Sequence, residues 1–247
     1  MKSGLFEMSL AIIGGTGALD LFEQVTEQSI ETPYGAPSSV PARIELGRSE
    51  AWFIARHGNP HAIPPHRINY RANIDALRRL GVRRVIGINA VGAIDPALTG
   101  GSLVLPDQLI DYSWGRVHTF SDDADSPLEH IEFANPFAGP TRNLLLQTAR
   151  DSQVELHVTG CYAVTQGPRL ETAAEIRKLG ADGCTLVGMT AMPEAALARE
   201  AGLDYACLCV VANPAAGVSA EPISLDEIHR VLAEAMGQVR KLLALLE

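Results

Sequence analysis

Short apolar runs alternate along the chain with segments in which apolar residues recur every three or four positions. Residues 10–13, 51–55, 85–88 and 205–212 are nearly continuous apolar runs, the pattern of strands buried on both faces. Residues 162–165 and 184–189 read as further strands, and 103–110 contains another. Between them, 69–80 carries Ala72, Ala76, Leu77 and Leu80 at helical spacing and stops at Gly81. Helices are also predicted over 141–149, 172–179, 193–201 and 224–246. Thr172 with Glu175, and Ser224 with Glu227, have the spacing of capping boxes. Strands alternating with helices, without a linker or an internal repeat, predict one α/β domain. Residues 113–136 are the least regular stretch, rich in Asp, His and Pro. They read as one long loop, a feature that in compact domains is often functional.

Composition narrows the classes. The 247 residues are 47% hydrophobic and 20% charged, enough for one sizeable core and unlike a disordered, collagenous or coiled-coil chain. Lys plus Arg is 20 against 29 Asp plus Glu, a net charge of −9. So acidic a chain is unsuited to sequence-independent nucleic-acid binding, although a few local donors still suffice for a small anion. Four cysteines occur without a C-x-x-C pair, which predicts buried reduced thiols in a cytoplasmic protein. No apolar stretch approaches the roughly 20 residues of a spanning helix, so no membrane partner is expected. The start lacks the basic-then-apolar pattern of a signal peptide. Residues 1–8 read as a flexible lead-in to a domain over 9–247.

The polar residues that interrupt this pattern fall where strands end. In open α/β sheets, ligands bind beyond the carboxyl ends of strands. Gly14-Gly15-Thr16-Gly17 follows the first strand and offers backbone N–H groups and a hydroxyl to an anion. It lacks the third glycine of a dinucleotide fingerprint, Asp20 standing there, and the Lys-Ser/Thr of a phosphate-binding P-loop. Arg56-His57 ends another strand; a guanidinium fork suits phosphate, and His57 offers a second donor. His57, His61 and His66 have the spacing of metal ligands on a helix, but Pro60, Pro64 and Pro65 prevent that helix, so no metal is expected. Asn89-Ala90-Val91-Gly92, Met189-Thr190 and Asn213 end three more strands. Thr190 is a hydroxyl donor, Met189 an apolar surface for a sugar or base, and Glu194 favours the positive end of its helix. The Asn213 amide both donates and accepts, as reading a heterocycle edge requires.

Taken in order, Gly14–Gly17, Arg56–Gly58, Asn69-Tyr-Arg-Ala-Asn73, Asn89–Gly92, Gln166-Gly-Pro-Arg169 and Gly188-Met-Thr-Ala-Met-Pro-Glu194 resemble the trimeric purine nucleoside phosphorylases. The branch most similar is that of methylthioadenosine phosphorylase and S-methyl-5′-thioinosine phosphorylase. The resemblance spans nearly the whole chain. It implies a single-domain α/β nucleoside-phosphorylase fold, with a twisted mixed sheet, a partial barrel and flanking helices. It also implies a homotrimer, and phosphorolysis of a purine nucleoside in salvage, with phosphate as co-substrate and no cofactor.

By motif position the resemblance implies that Thr16, Arg56, His57, Ala90 through its backbone, and Thr190 hold phosphate. It puts Met189 under the ribose, with Val91 and Gly92 beside the nucleoside. His130 matches a position that reaches a neighbouring subunit's 5′ pocket. Leu170 stands where the family usually has an aromatic under the purine, which forgoes stacking. The family's adenosine-type members carry an acidic pair where this chain has Asn213 and Ala215. Asn213 can donate to N7 or to a 6-oxo group, so a 6-oxopurine is expected. Ile228, Val231 and Leu232 lie where the family packs a 5′-methylthio group. Methylthioadenosine, inosine or guanosine remain alternative substrates, and a nucleotide-cofactor oxidoreductase or a non-catalytic purine-binding protein are alternatives of another class.

Overall fold

The computed structural model describes residues 10–122, 128–220 and 223–246, so the predicted lead-in lies outside the described residues. Its frame is β5 (Arg84–Ala93), which is bonded along both edges. On one edge β5 pairs in parallel with β1 (Leu10–Gly14), and further along it pairs antiparallel with β9 (Leu186–Gly188). On the other edge it runs parallel to the whole of β10 (Asp204–Pro214). Beyond β1 lie β4 (Ser49–Ala55), β3 (Ala42–Leu46) and β2 (Gln24–Glu27). Beyond β9 lie β8 (Cys161–Val164) and β7 (Gln108–Asp111), and β6 (Leu103–Val104) pairs with β10.

The strands β5, β10, β6, β7, β8 and β9 therefore curl into a partial barrel. The gap between β6 and β7 is spanned by the amides of Leu105 and Asp107, which donate to the carbonyls of His157 and Gly160. The predicted single strand over 103–110 is two short ones because Pro106, which has no N–H, stands between them. The run at 85–88 continues to Ala93, because β10 supplies partners past the polar Asn89. The strand predicted at 184–189 is confined to Leu186–Gly188.

Each central strand feeds two cores. In β1, Ile12 belongs to one cluster and Ala11 and Ile13 to the other. On the first side lie α2 (Pro140–Ser152) and α5 (Leu225–Leu243), with Leu145, Leu232, Val239 and Leu243 packed against Ile12, Ile86 and Leu208. On the second lie α1 (Tyr70–Arg79) and α4 (Ala191–Glu200), with Ile74, Leu77 and Leu197 against Ile13, Val85 and Val211. Fully burying one such side chain contributes about 1.5–3 kcal/mol before entropy is counted. Among the described residues no helix is long and apolar enough to cross a membrane. The four cysteines are free thiols, three buried and Cys161 half-buried.

Caps follow the sequence closely. Thr172 and Glu175 close the capping box at α3 (Ala173–Ala181). At α5 only half forms: Ser224 accepts from the Glu227 amide, but the Glu227 carboxylate turns to Arg230. Asn69 caps α1, and its amide also donates to the carbonyls of Tyr34 and Ala36. Helix α4 starts at Ala191, ahead of the predicted Pro193, with Met192 in extended conformation. The described part of 113–136 holds no helix or strand. Arg116 fastens it, donating to the carbonyls of Met189, Met192, Thr165 and Gln166 at 2.7–3.1 Å.

Candidate active site

A cavity of about 450 Å³ opens where β1, β4, β5, β9 and β10 end. It is of a size for a small ligand. Thr16, Arg56, His57, Ala90, Val91, Gly92, Leu170, Met189, Thr190, Asn213, Ala215 and Ile228 all line it. Sequence positions more than 200 apart are thus brought to one site. His130 is not among the lining residues; it is exposed on the 113–136 loop.

One end is built for an anion. The turn after β1 is tight: a Cβ on Gly15 would lie 2.8 Å from both Arg56 Nη1 and the Ile88 carbonyl oxygen. Gly17 has φ 83°, which favours glycine. Thr16, half-buried, sits between them. Arg56 is fully buried beneath this turn, and most of its donors are already engaged. Nε and Nη2 form a two-point ion pair with Glu194 at 2.7 and 2.6 Å. Nη1 donates to the Ile88 carbonyl and Nη2 also to that of Ile13. Burial alone would lower the Arg56 pKa; the adjoining Glu194 carboxylate outweighs it and holds the guanidinium charged, above its ordinary value. Of its five N–H donors, one on Nη1 remains for a ligand. The sequence offered Arg56 as an open fork; here the fork is closed on Glu194, and the guanidinium chiefly binds β1, β5 and α4 together.

His57 also departs from its expected role as a donor. Its Nδ1 lies 2.8 Å from the Ile63 carbonyl, which can only accept, so Nδ1 carries the proton. Burial chiefly pushes its pKa down to about 4; the Ile63 bond opposes this, and Arg56 and His61 add to the depression. At neutral pH, Nε2 is therefore an acceptor. His61 stacks on it, ring centroids 4.4 Å apart and planes within 14°.

The middle of the cavity is fixed from below. Asn89 is buried at the centre of β5, donates to the Cys207 thiol sulfur, and accepts from the Thr190 hydroxyl at 2.9 Å. Met189 is wedged against the 166–168 turn: a Cβ on Gly167 would meet its sulfur at 2.4 Å. At the far end, the pairing of β10 with β5 shifts register between Val211 and Asn213, leaving Ala212 as an extra residue. Such a bulge re-aims the side chains that follow it. Asn213, half-buried, lines the cavity, and its amide donates to the Pro214 carbonyl at 2.6 Å. Gly92, Val187 and Ala215 close together there; a Cβ on Gly92 would meet Val187 at 3.2 Å.

Several lining residues escaped the sequence. Glu171, beside Leu170, faces the cavity while one carboxylate oxygen accepts from the Thr165 hydroxyl at 2.5 Å. His61 and His229 line its mouth with Ile223, Leu225 and Ile228. Glu194 had a signal only as a helix-start acid, yet it is fully buried and also accepts from the Tyr205 hydroxyl at 2.8 Å. Among the described residues no three His, Cys, Asp or Glu side chains group as a metal site.

Residues 9–246 match the model of the phosphorylase superfamily. The chain belongs to that superfamily. A Xylella fastidiosa protein named a probable S-methyl-5′-thioinosine phosphorylase is 52% identical over 242 residues, covering 96% of this chain and 97% of the relative. The 6-oxopurine nucleoside phosphorylase of Pyrococcus furiosus is 41% identical, over 95% of this chain and 90% of its own. Among solved structures, methylthioadenosine phosphorylase from Schistosoma mansoni in complex with adenine superposes with a TM-score of 0.90 at 32% identity. That match covers 96% of this chain and 90% of the other. The α/β fold expected from the phosphorylase resemblance is thus the fold of this chain.

Proposed function

We propose that the chain catalyses phosphorolysis of a purine nucleoside and that its substrate is S-methyl-5′-thioinosine, giving hypoxanthine and 5-methylthioribose 1-phosphate. One observation carries this reading: an anion end and a base end of complementary chemistry line a single cavity. At the base end Glu171 and Asn213 form a matched pair for a 6-oxopurine. A 6-oxopurine carries a proton on N1, which a carboxylate accepts, and Asn213 can donate to N7 or O6. A 6-aminopurine presents a lone pair at N1, which Glu171 would repel. The names of the relatives agree with that preference.

Phosphate would sit over the 14–17 turn. It would accept from Thr16, backbone N–H groups including that of Ala90, and the remaining N–H of Arg56, and donate a hydroxyl to His57 Nε2. From there it attacks C1′ on the face opposite the base. The C1′–N9 bond breaks as the C1′–O bond forms, and its electron pair goes to the purine. Positive charge on the ribose is met by phosphate, and negative charge on the purine by the Asn213 amide, as in an oxyanion hole. No enzyme nucleophile is needed; positioning and electrostatics supply the rate. The homotrimer, the cytoplasmic setting and a role in purine and methylthio salvage belong to this same reading, and His130 would act there on a neighbouring subunit's pocket.

The test is a panel of methylthioinosine, methylthioadenosine, inosine, guanosine and adenosine, each with and without phosphate. Phosphate-dependent release of hypoxanthine, fastest from methylthioinosine, is expected. Faster release of adenine from methylthioadenosine would transfer the assignment to that substrate, and no base release at all would leave a purine-binding protein.

A further inference from the structure

We propose that Thr165 makes the base end selective for a 6-oxopurine without a 2-amino group, hypoxanthine over guanine, by occupying one oxygen of Glu171. The proposal rests on the phosphorolytic reading above, in which Glu171 accepts from N1–H. Guanine presents two neighbouring N–H donors on that edge, from N1 and from the 2-amino group, and a carboxylate with both oxygens open matches them. Hypoxanthine carries a C–H at position 2 and asks for one oxygen only.

One oxygen is what the fold leaves. The Thr165 hydroxyl donates to Glu171 Oε1 at 2.5 Å. Its single proton has a second acceptor in reach, the Gly188 carbonyl at 3.3 Å, but that oxygen already accepts from the Thr165 amide at 2.8 Å. The proton therefore belongs to the carboxylate. Thr165 is not free to move aside. It follows β8 directly, its amide is bonded to Gly188 at the end of β9, and its carbonyl accepts from Arg116 Nη2 at 3.1 Å. Glu171 lies on the loop between β8 and α3 and takes its orientation from this bond. The 2-amino group has no other carboxylate to turn to. Among the described residues Glu171 is the only acid lining the cavity, and the wall near it is Val187, Ala215 and Ala216. A guanine N–H would be buried there against an oxygen already receiving a proton, a donor only partly met.

The experiment measures kcat/KM for methylthioinosine and for 5′-methylthioguanosine, which differ only in the 2-amino group. The native protein is expected to favour methylthioinosine by about tenfold, the cost of leaving one such donor without a full partner. Thr165→Val keeps the shape of the side chain, frees Oε1 and should bring the ratio close to one. Thr165→Ser, which keeps the hydroxyl, should hold it near the native value. Loss of packing at residue 165 would instead slow both nucleosides alike and leave the ratio in place. Product inhibition of the native protein by hypoxanthine and by guanine should show the same preference, whether or not the valine variant folds. A native ratio near one, guanine inhibiting as strongly as hypoxanthine, or a ratio unchanged in Thr165→Val overturns the proposal while leaving phosphorolysis of 6-oxopurines intact. If the native protein releases no base from any nucleoside, the phosphorolytic reading itself falls.

Discussion

Arg56 and Glu194, 138 positions apart in sequence, form a two-point ion pair with neither side chain exposed to solvent. Strand β4 delivers the guanidinium and helix α4 the carboxylate. Two bonds to the carbonyls of Ile88 and Ile13 then lock it under the anion-binding turn. A pair of this kind contributes less to stability than its Coulomb attraction suggests, because both charges were dehydrated to form it. Breaking one side is another matter.

Glu194→Gln should destabilise the fold by about 3–5 kcal/mol, since it leaves a buried guanidinium without its counter-charge. Urea denaturation checks this. The same variant should raise the KM for phosphate, because Arg56 would no longer be held in place. Native stability would show that the ion pair is not the keystone it looks to be.

His57 makes stability depend on acid. Its folded pKa, about 4, lies below the ordinary 6.5, so between those values the unfolded chain binds more protons than the native one. Stability should therefore be complete above about pH 6.5 and decline as pH falls towards 4, by up to about 3 kcal/mol from this residue. Denaturation curves at pH 7 and pH 4.5 for the native chain and His57→Gln measure it. The difference between the two proteins should narrow at the lower pH. Saturating phosphate, an anion that favours the charged imidazole, should also soften the decline.

Base selection should divide between Asn213 and Glu171. Asn213→Ala removes the donor to the leaving purine and should lower kcat about 10²- to 10³-fold with little change in melting temperature. Asn213→Asp and Glu171→Gln should each move the kcat/KM ratio from methylthioinosine towards methylthioadenosine. Initial rates on the two nucleosides decide it, and an unchanged ratio in both variants would remove this pair from base recognition.

Arg116→Ala should loosen the cavity wall, because four carbonyls from the ends of β8 and β9 and the start of α4 lose their donor. The expected result is a fall in kcat/KM of at least tenfold. Arg116→Lys should recover only part of it, since an ammonium cannot span the same spread of acceptors. Steady-state kinetics of both variants, with melting temperatures alongside, separate this from general unfolding.

Much of the site was legible because each of its parts follows a buried strand, and a buried strand has an unmistakable apolar signature. Gly14–Gly17, Arg56-His57, Asn89–Gly92, Met189-Thr190 and Asn213 stand out as polar breaks after such runs. Strand β2 had no signature, since all four of its residues are exposed. Glu194 was visible but misjudged: its nearest helical neighbours explained it locally, whereas its partner lies 138 residues upstream. His61 stood out only for a metal-ligand spacing that the neighbouring prolines rule out, and His229 sits on a helix edge, where a polar residue is unremarkable. Only the folded chain shows that they share a cavity. The bulge at Ala212 was equally hidden, because a run of apolar residues has the same appearance with or without one unpaired member.

Strand β5 touches β1, β9 and β10 at once, and each of those strands carries one wall of the cavity. Local fraying therefore has no route into the floor of the site: the amides of residues 85–91 should exchange with deuterium only when the whole domain unfolds. The lining segments not stitched into the sheet are the 57–65 loop, residues 168–171 and the first turn of α5. The time a product spends bound would then be set by the mobility of those pieces, while the floor stays rigid through every turnover.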